Sequence, residues 1–297
     1  MGAKLRVVRR RIRSVESTMK ITRAMELIAT SRIVRAQQRV EASRPYAELL
    51  TLAMEDVARQ TDALVHPLLE ARERPQRAGV FIVTSDRGLA GSYNTNLLRR
   101  AEEVIARARA RGIETVQYIV GRKGQSYFRF RGVPIEASWT GVSEVPPFSA
   151  AEEIGRRLID DFATGRIDEL DAVFTDFRSA FSLRATDKRF LPIAEHEVVS
   201  GESEKPHPEY IFEPAPAAIL QELLPKYVVT KVYHAMLESA ASENAARRRA
   251  MKAATDNAEE LIKVLTRHAN RARQDEITSE IMEIVGGAEA LTQASGE

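Results

Sequence analysis

The stretch LRVVRRRIRSVESTMKITRAMELIATSRIVRAQQRV, residues 5–40, decides how this chain folds. Its apolar residues recur at alternating steps of three and four, and the spacing continues to position 57. The seam comprises Leu5, Val8, Ile12, Val15, Met19, Ala29, Ile33, Ala36, Val40, Ala47, Leu50, Met54 and Val57, with the polar residues Thr22, Glu26 and Ser43 among them. A 3.5-residue repeat held this long is typical of a coiled coil. It predicts a coiled-coil helix over residues 1–60, kinked or briefly interrupted at Pro45.

A second seam lies in the last part of the chain, which predicts a C-terminal coiled-coil helix over residues 209–291. The three-four spacing involves Met251, Ala254, Ala258, Leu261, Leu265, His268 and Ala272, and then, in a shifted phase, Ile277, Ile281, Ile284 and Ala288. Pro225 is expected in the first turn of this helix, where proline is tolerated. We expect the two helices to pair antiparallel within one chain. A homodimeric coil is the competing interpretation.

The second helix is longer than the first, so its end is expected to project beyond its partner. The apolar residues there are Ile277, Ile281, Ile284, Val285 and Ala288. An uncovered apolar helix end usually marks a protein interface.

Residues 76–208 have a different pattern from the two ends. Strands are predicted at 78–85, 114–120 and 170–177, and helices at 93–111, 122–131 and 154–162. Alternating strands and helices predict a largely parallel, doubly wound sheet. The predicted fold class is therefore α+α/β, a two-helix coiled coil with an inserted Rossmann-like domain.

Composition bears on several classes of function. The 297 residues include no cysteine, which excludes disulfides, thiolate metal sites and cysteine nucleophiles. The five histidines are scattered without metal-ligand spacing, and no nucleophile, base and orienting residue form a set. We therefore expect no catalytic, cofactor or metal site. The sequence shows neither a secretory signal nor a run of about 18 apolar residues, so a soluble or peripheral protein is expected.

The segment SDRGLAGSYN, residues 85–94, follows a predicted strand and precedes a predicted helix. Phosphate groups often bind at such a position. The glycine spacing matches neither GxGxxG nor GxxxxGK[ST], which favours a tight strand-to-helix turn. The segment VGRKG, residues 120–124, has the same two interpretations.

The charge of the chain is distributed unevenly. Residues 1–44 contain 12 Lys and Arg against 3 Glu, and residues 226–274 contain 10 basic against 5 acidic residues. Residues 275–297 contain six acidic residues and no basic one. The basic helices could be a solvated surface, bind nucleic acid through phosphates, or face acidic loops of a surrounding protein sleeve.

Several motifs resemble the gamma subunits of F-type ATP synthases. They are MKITRAMELIA at 19–29, SRPYA at 43–47, SDRGLAG at 85–91, ASENAAR at 241–247, AMKAATDN at 250–257, RQ at 273–274 and ITSEIMEIVGGA at 277–288. The resemblance covers nearly the whole chain, and it is most specific at the two ends.

This resemblance implies a non-catalytic rotor. The coiled coil would be the central stalk inside a ring of three alpha and three beta subunits, and the α/β domain would bind the epsilon subunit and the c-ring. Proton-driven rotation of the c-ring would then cycle the beta sites, while ATP, ADP and magnesium are bound by the partners. A bacterial origin and a peripheral place at the cytoplasmic face of the plasma membrane are expected.

The resemblance also implies contact residues. Met25 and Arg87 match residues near the acidic lever of beta, and Arg247, Arg273, Gln274 and Thr278 match polar residues that grip beta loops. Tyr210, Phe212 and Glu213 fall in the segment that meets the c-ring.

Two further interpretations remain open on the sequence. The leading alternative is a coiled-coil scaffold for nucleic acid, suggested by the basic helices. The other is a nucleotide-dependent enzyme that uses residues 76–208.

Overall fold

The computed structural model describes residues 2–59, 66–177, 183–198, 213 and 215–294. The helices are α1 (Gly2–Arg59), α2 (Tyr93–Ala110), α3 (Arg122–Phe130), α4 (Phe148–Ala163), α5 (Glu195–Val198) and α6 (Pro216–Ala294). The strands are β1 (Arg77–Val83), β2 (Glu114–Val120), β3 (Ile135–Trp139), β4 (Glu169–Phe177) and β5 (Leu183–Leu191). The chain divides into a terminal unit, residues 1–28 with 248–297, and a central unit, residues 29–247.

The central unit contains a five-stranded sheet in the order β3-β2-β1-β4-β5. The first four strands are parallel, and β5 pairs antiparallel with β4. Alternate residues of a strand point to opposite faces of the sheet. Phe81 and Val83 accordingly pack toward α4 and the long helices, whereas Val80 and Ile82 pack toward α2 and α3. The doubly wound α/β fold predicted from the alternating pattern is confirmed.

Two strands, β3 and β5, were not predicted from the sequence. The sheet order places both at its edges, where burial is incomplete. Strand β5 reads LRATDKRFL, and its charged residues do not form an apolar run. A continuous apolar signal arises only where both faces of a strand are covered, as in β1.

Within the central unit, α1 and α6 run antiparallel. Ser43 and Tyr46 of α1 line a cavity with His234 of α6, whereas Glu55, further along α1, acts electrostatically on the earlier Tyr227 of α6. The pairing is therefore formed within one chain, as predicted. The seam positions of α1 are also confirmed in this unit, where Ala29, Ile33, Ala36, Leu50, Met54 and Val57 are all buried.

The terminal unit contains the remaining parts of α1 and α6. Its seam includes a buried pair of hydroxyls, Thr22 and Thr255, whose Oγ1 atoms lie 2.8 Å apart. On α6 the buried positions are Met251, Thr255, Ala258, Leu265 and Ala269. Three of the seven seam positions predicted over residues 251–272 were therefore wrong by one residue, since Ala254, Leu261 and His268 lie outside the seam. A seam with steps of three and then four residues shares every seventh position with a seam with steps of four and then three. The sequence repeat fits both seams, and the contact with the partner helix decides which one is buried.

The structure differs from the sequence-based expectations at two prolines. Helix α1 continues through Pro45, so no interruption occurs there, and the Ser43 hydroxyl donates to the Val40 carbonyl at 2.8 Å in the turn before the proline. Pro225 lies well inside α6, and the first helical residue is Pro216. The carbonyl of exposed Gln221, which faces the missing N–H of Pro225, can bond to water instead.

Across the described ranges, no helix combines the length and the apolar character needed to cross a lipid bilayer.

Candidate interaction surfaces

The crevice where doubly wound folds bind ligands is filled by α6. In these folds the ligand lies beyond the carboxyl ends of the strands, at the point where the strand order reverses, here between β1 and β4. Thr175 at the end of β4 donates its N–H to Ser239 Oγ at 3.3 Å and accepts from Ser242 Oγ at 3.3 Å. The Tyr93 hydroxyl, at the start of α2, donates to the Ser239 carbonyl at 3.3 Å. A helix of this chain therefore takes the place of a ligand.

The small residues of α6 explain how it can lie so close to the sheet. Ala240, Ala241, Ala245 and Ala246 are all buried, and Ser242 and Asn244 are fully enclosed. Alanine and serine leave room for the backbones to approach. The dense alanines of this part of α6 thus allow close contact with the sheet.

The turn between β1 and α2 is closed by its own side chains. The Asp86 carboxylate accepts from the N–H groups of Gly141 at 2.8 Å, Ser143 at 3.1 Å and Arg122 at 3.2 Å. Burial alone would raise the pKa of Asp86, but these donated bonds together lower it, so the carboxylate is ionised at neutral pH. Arg122 is the first residue of α3, so this carboxylate occupies the helix N-terminus where a phosphate would bind.

The glycines of VGRKG serve packing. Gly121 has φ +94°, and a Cβ there would lie 2.3 Å from the carbonyl oxygen of Thr84. A Cβ on Gly124 would lie 2.8 Å from the Thr84 side chain. Both glycines allow the β2–α3 turn to touch β1, which supports the interpretation of this motif as a tight turn.

Arg247 of α6 lies in a buried ionic cluster, with only 6% of its side chain exposed. Its Nη2 donates to Glu243 Oε1 at 2.6 Å and to the Gly88 carbonyl at 3.3 Å. Burial raises the pKa of Glu243, and the guanidinium of Arg247 opposes that rise. The sequence marked Arg247 as a contact to another subunit, whereas here it joins α6 to the β1–α2 turn.

Glu144 is the centre of this cluster. Its Oε2 accepts from Arg32 Nη1 at 2.7 Å and lies 3.6 Å from Arg87 Nη1. Its Oε1 lies 3.8 Å from Arg247 Nη1 and makes no hydrogen bond. One carboxylate thus faces arginines of α1, of the β1–α2 turn and of α6. No local pattern in the sequence links positions 32, 87, 144 and 247.

The remaining contact residues named from the sequence lie in different places. Arg87 is largely exposed, with 65% of its side chain accessible. In the terminal unit, Met25 is half-buried, and Arg273, Gln274 and Thr278 are exposed on consecutive turns of α6. Their roles stay predictions.

The residues proposed to meet the c-ring are mostly outside the described ranges. Tyr210 and Phe212 fall in the undescribed segment. Glu213 is described and exposed.

The end of α6 exposes a row of large apolar side chains in the terminal unit. Ile277, Ile281, Met282, Ile284 and Val285 are between 45% and 71% exposed. A single chain gains nothing from such a row, which is expected of a surface that another protein covers. On α1, Ile21, Leu27 and Ile28 are also exposed, so the apolar residues of this unit do not all face inward.

Among the described residues, His, Asp and Glu form no group of three that could hold a metal ion.

Comparison with known proteins assigns the chain to a family. An antiparallel helix pair joined to a doubly wound domain in the central unit, and an exposed apolar helix surface in the terminal unit, are the features of a protein that is part of a larger assembly. The profile of the family described as ATP synthase matches residues 4–291. The ATP synthase gamma chain of Acidothermus cellulolyticus is 54% identical over the full length of both chains, and that of Mycolicibacterium smegmatis is 52% identical over 98% of this chain and 99% of the relative. The chain belongs to the ATP synthase gamma-chain family.

Solved structures share the fold. A chain from the mitochondrial ATP synthase of Euglena gracilis, in a structure of OSCP, F1 and the c-ring, superposes with a TM-score of 0.69 at 18% identity, covering 98% of this chain and 95% of that one. A chain from the central stalk and c-ring of the Tetrahymena thermophila enzyme gives a TM-score of 0.59 at 23% identity, covering 79% and 99%.

Proposed function

We propose that this chain is the central-stalk rotor of a proton-translocating F-type ATP synthase. The observation that carries the proposal is the full-length 54% identity to an ATP synthase gamma chain. The antiparallel helix pair and the exposed apolar end of α6 support it, because a rotor needs a stiff axle and a surface held by surrounding subunits.

In this function the chain transmits force and performs no chemistry itself. Its partners are the alpha and beta subunits, the epsilon subunit and the c-ring, and the beta sites hold ATP, ADP and magnesium. The crevice filled by α6 and the turn closed by Asp86 support a non-catalytic role. The chain would be peripheral, at the cytoplasmic face of the plasma membrane.

The surface of the terminal unit suits a rotor that must not be trapped at one angle. Arg273, Gln274 and Thr278 are exposed and would contact beta loops, with Met25 facing the beta lever. Exposed ion pairs contribute only about 0–1 kcal/mol each, so they can be exchanged between equivalent partners during rotation. A large apolar interface of protein-core type at these contacts would create one deep minimum and stop the turning, so apolar contact with the ring is expected only at the exposed end of α6.

Arg87 and Arg247 belong to the central unit. Arg87 is exposed and able to meet an acidic group of beta, whereas buried Arg247 would act through the turn that carries Arg87. Tyr210, Phe212 and Glu213 are proposed to contact the c-ring.

Co-expression with the alpha and beta subunits of the same organism tests the proposal. We expect a complex of one copy of this chain with three alpha and three beta subunits that hydrolyses ATP, and whose hydrolysis pumps protons after addition of epsilon and the membrane sector. Alpha and beta that assemble without retaining this chain would overturn the proposal.

A further inference from the structure

The charges around Glu144 do not balance within the central unit. Three arginines (Arg32, Arg87 and Arg247) surround two carboxylates, Glu144 and Glu243. Arg247 is paired with Glu243 and Arg32 with Glu144, both at hydrogen-bond distance. Arg87 approaches Glu144 only to 3.6 Å and is mostly exposed, so the surplus cation is the one at the surface.

The loop that carries Glu144 is fixed from its other side as well. Ser143 donates its N–H to Asp86 and accepts from the Asp86 N–H at 2.8 Å. Asp86 and Arg87 are adjacent, so the loop is held to the β1–α2 turn by two hydrogen bonds between backbone and side chain at Asp86 and by an ion pair at Arg87. The same loop reaches α1 through Arg32.

Each connection made by Glu144 has a different strength. The 2.7 Å bond to Arg32 is a charge-assisted hydrogen bond, and such bonds are roughly twice as strong as neutral ones. The contact with Arg87 is longer and solvated, and is therefore weak. If an external carboxylate binds Arg87, Glu144 keeps Arg32 and Arg247, so no buried charge is left without a partner.

We infer that Glu144 is a positioning residue that ties the Arg87 turn to both long helices, and that force passes between the α/β domain and the helix pair through this tie. The inference rests on the proposed rotor function. Glu144 acts through the arginines, and it leaves Arg87 available to an outside partner while holding the turn in place.

The first test uses the isolated full-length chain and E144Q, which keeps the size of the side chain and removes its charge. The control is E152Q, which removes a carboxylate from an exposed ion pair with Arg156 at 2.7 Å on nearby α4. We expect amides of residues 86–92 to exchange hydrogen about tenfold faster in E144Q, because loss of the ion pairs favours local opening, and to be unchanged in E152Q. Equal exchange in E144Q and wild type would overturn the inference.

The second test uses the assembled enzyme in vesicles. We expect E144Q to retain ATP hydrolysis within about twofold and to lose about fivefold in proton pumping per ATP, since a loosened tie transmits less of each step. E144D, which keeps the charge, should recover part of the pumping, and E152Q should pump as wild type does. Full pumping by E144Q, or equal losses in both variants, would contradict the inference.

R32Q keeps the inference testable if E144Q does not fold. R32Q removes the ion pair between Arg32 and Glu144 and should lower proton pumping by a smaller factor than E144Q does. Unchanged pumping in R32Q would count against the inference. A wild-type chain that fails to assemble or pump would refute the rotor function instead, and the exchange measurement would still decide whether Glu144 holds the turn.

Discussion

At the scale of single residues, Glu238 of α6 makes the stability of the folded chain depend on pH. Burial, with Asp176 nearby, raises the pKa of this carboxyl to about 7, while Lys188 opposes the shift. His234 Nδ1 lies 3.6 Å from its Oε1, and burial lowers the pKa of that histidine, so it brings little positive charge at neutral pH. Glu238 is therefore protonated more readily in the folded chain than in the unfolded one.

This difference in pKa between the folded and unfolded chain makes the free energy of unfolding fall as the pH rises. Below the ordinary pKa of 4.5 both states are protonated, and the unfolded state loses its proton first as the pH rises. We expect the free energy of unfolding to fall by about 1–2 kcal/mol through this group between pH 4.5 and 7, after allowance for solvent screening. E238Q should remove that part of the slope in urea unfolding measured across this range. E260Q, at an exposed position of α6, should keep the wild-type slope. If E238Q also keeps the wild-type slope, Glu238 is not the source of this pH dependence.

Sequence reasoning at this scale found the residues that carry a motif and missed those that respond to tertiary contacts. Arg87 and Arg247 were named because the family resemblance implies contacts for them. Glu144 lies outside every motif, and Asp86 lies within SDRGLAG, but the partners of both carboxylates come from distant parts of the chain. The position of Arg247 in a buried cluster also required the fold, since a helix pattern does not reveal which cation is covered.

At the scale of elements, the contact between α4 and α6 depends on one missing side chain. A Cβ on Gly155 would lie 2.7 Å from Val229 Cγ2 and 3.1 Å from Val229 Cα. We expect G155A to destabilise the chain by about 1–3 kcal/mol because the two helices must separate. The midpoint of thermal unfolding measures this loss, and V229A in the same chain should restore part of it.

Gly286 provides the matched control on α6. Nothing lies within 4 Å of a Cβ at that position, so G286A gains helix propensity without a clash. We expect an unchanged or slightly higher midpoint. If both glycine variants behave alike, helix propensity rather than close packing would determine the effect at Gly155.

The sequence predicted a helix or strand correctly where one face or both faces of that element are fully buried. The fully buried strand β1 and the long seam of α1 were found, because their periodicity is strong. Strands β3 and β5 were missed at the half-exposed edges of the sheet. The α6 seam was placed one residue off at alternate positions, because the heptad repeat alone does not say on which side the partner lies.

At the scale of the whole molecule, two parts of α6 have opposite surroundings. Around residues 239–247 the helix is enclosed by the sheet and the β1–α2 turn, whereas around residues 277–285 it exposes apolar side chains. The enclosed part anchors the helix to its own chain. The exposed part adds nothing to the stability of that chain, so its apolar character must serve an assembly.

The variant I281S/I284S tests this separation. Both side chains are more than half exposed, so we expect the free energy of unfolding of the isolated chain to stay within about 0.5 kcal/mol of wild type. In the complex with alpha and beta the same variant should release this chain at lower temperature, because apolar surface buried in the ring contributes about 25 cal/mol per Å². Thermal dissociation followed by size-exclusion chromatography measures the release. E280Q, an exposed polar change on the same turns, should leave it unchanged. A complex of I281S/I284S as heat-resistant as wild type would mean that the ring does not cover the apolar end of α6.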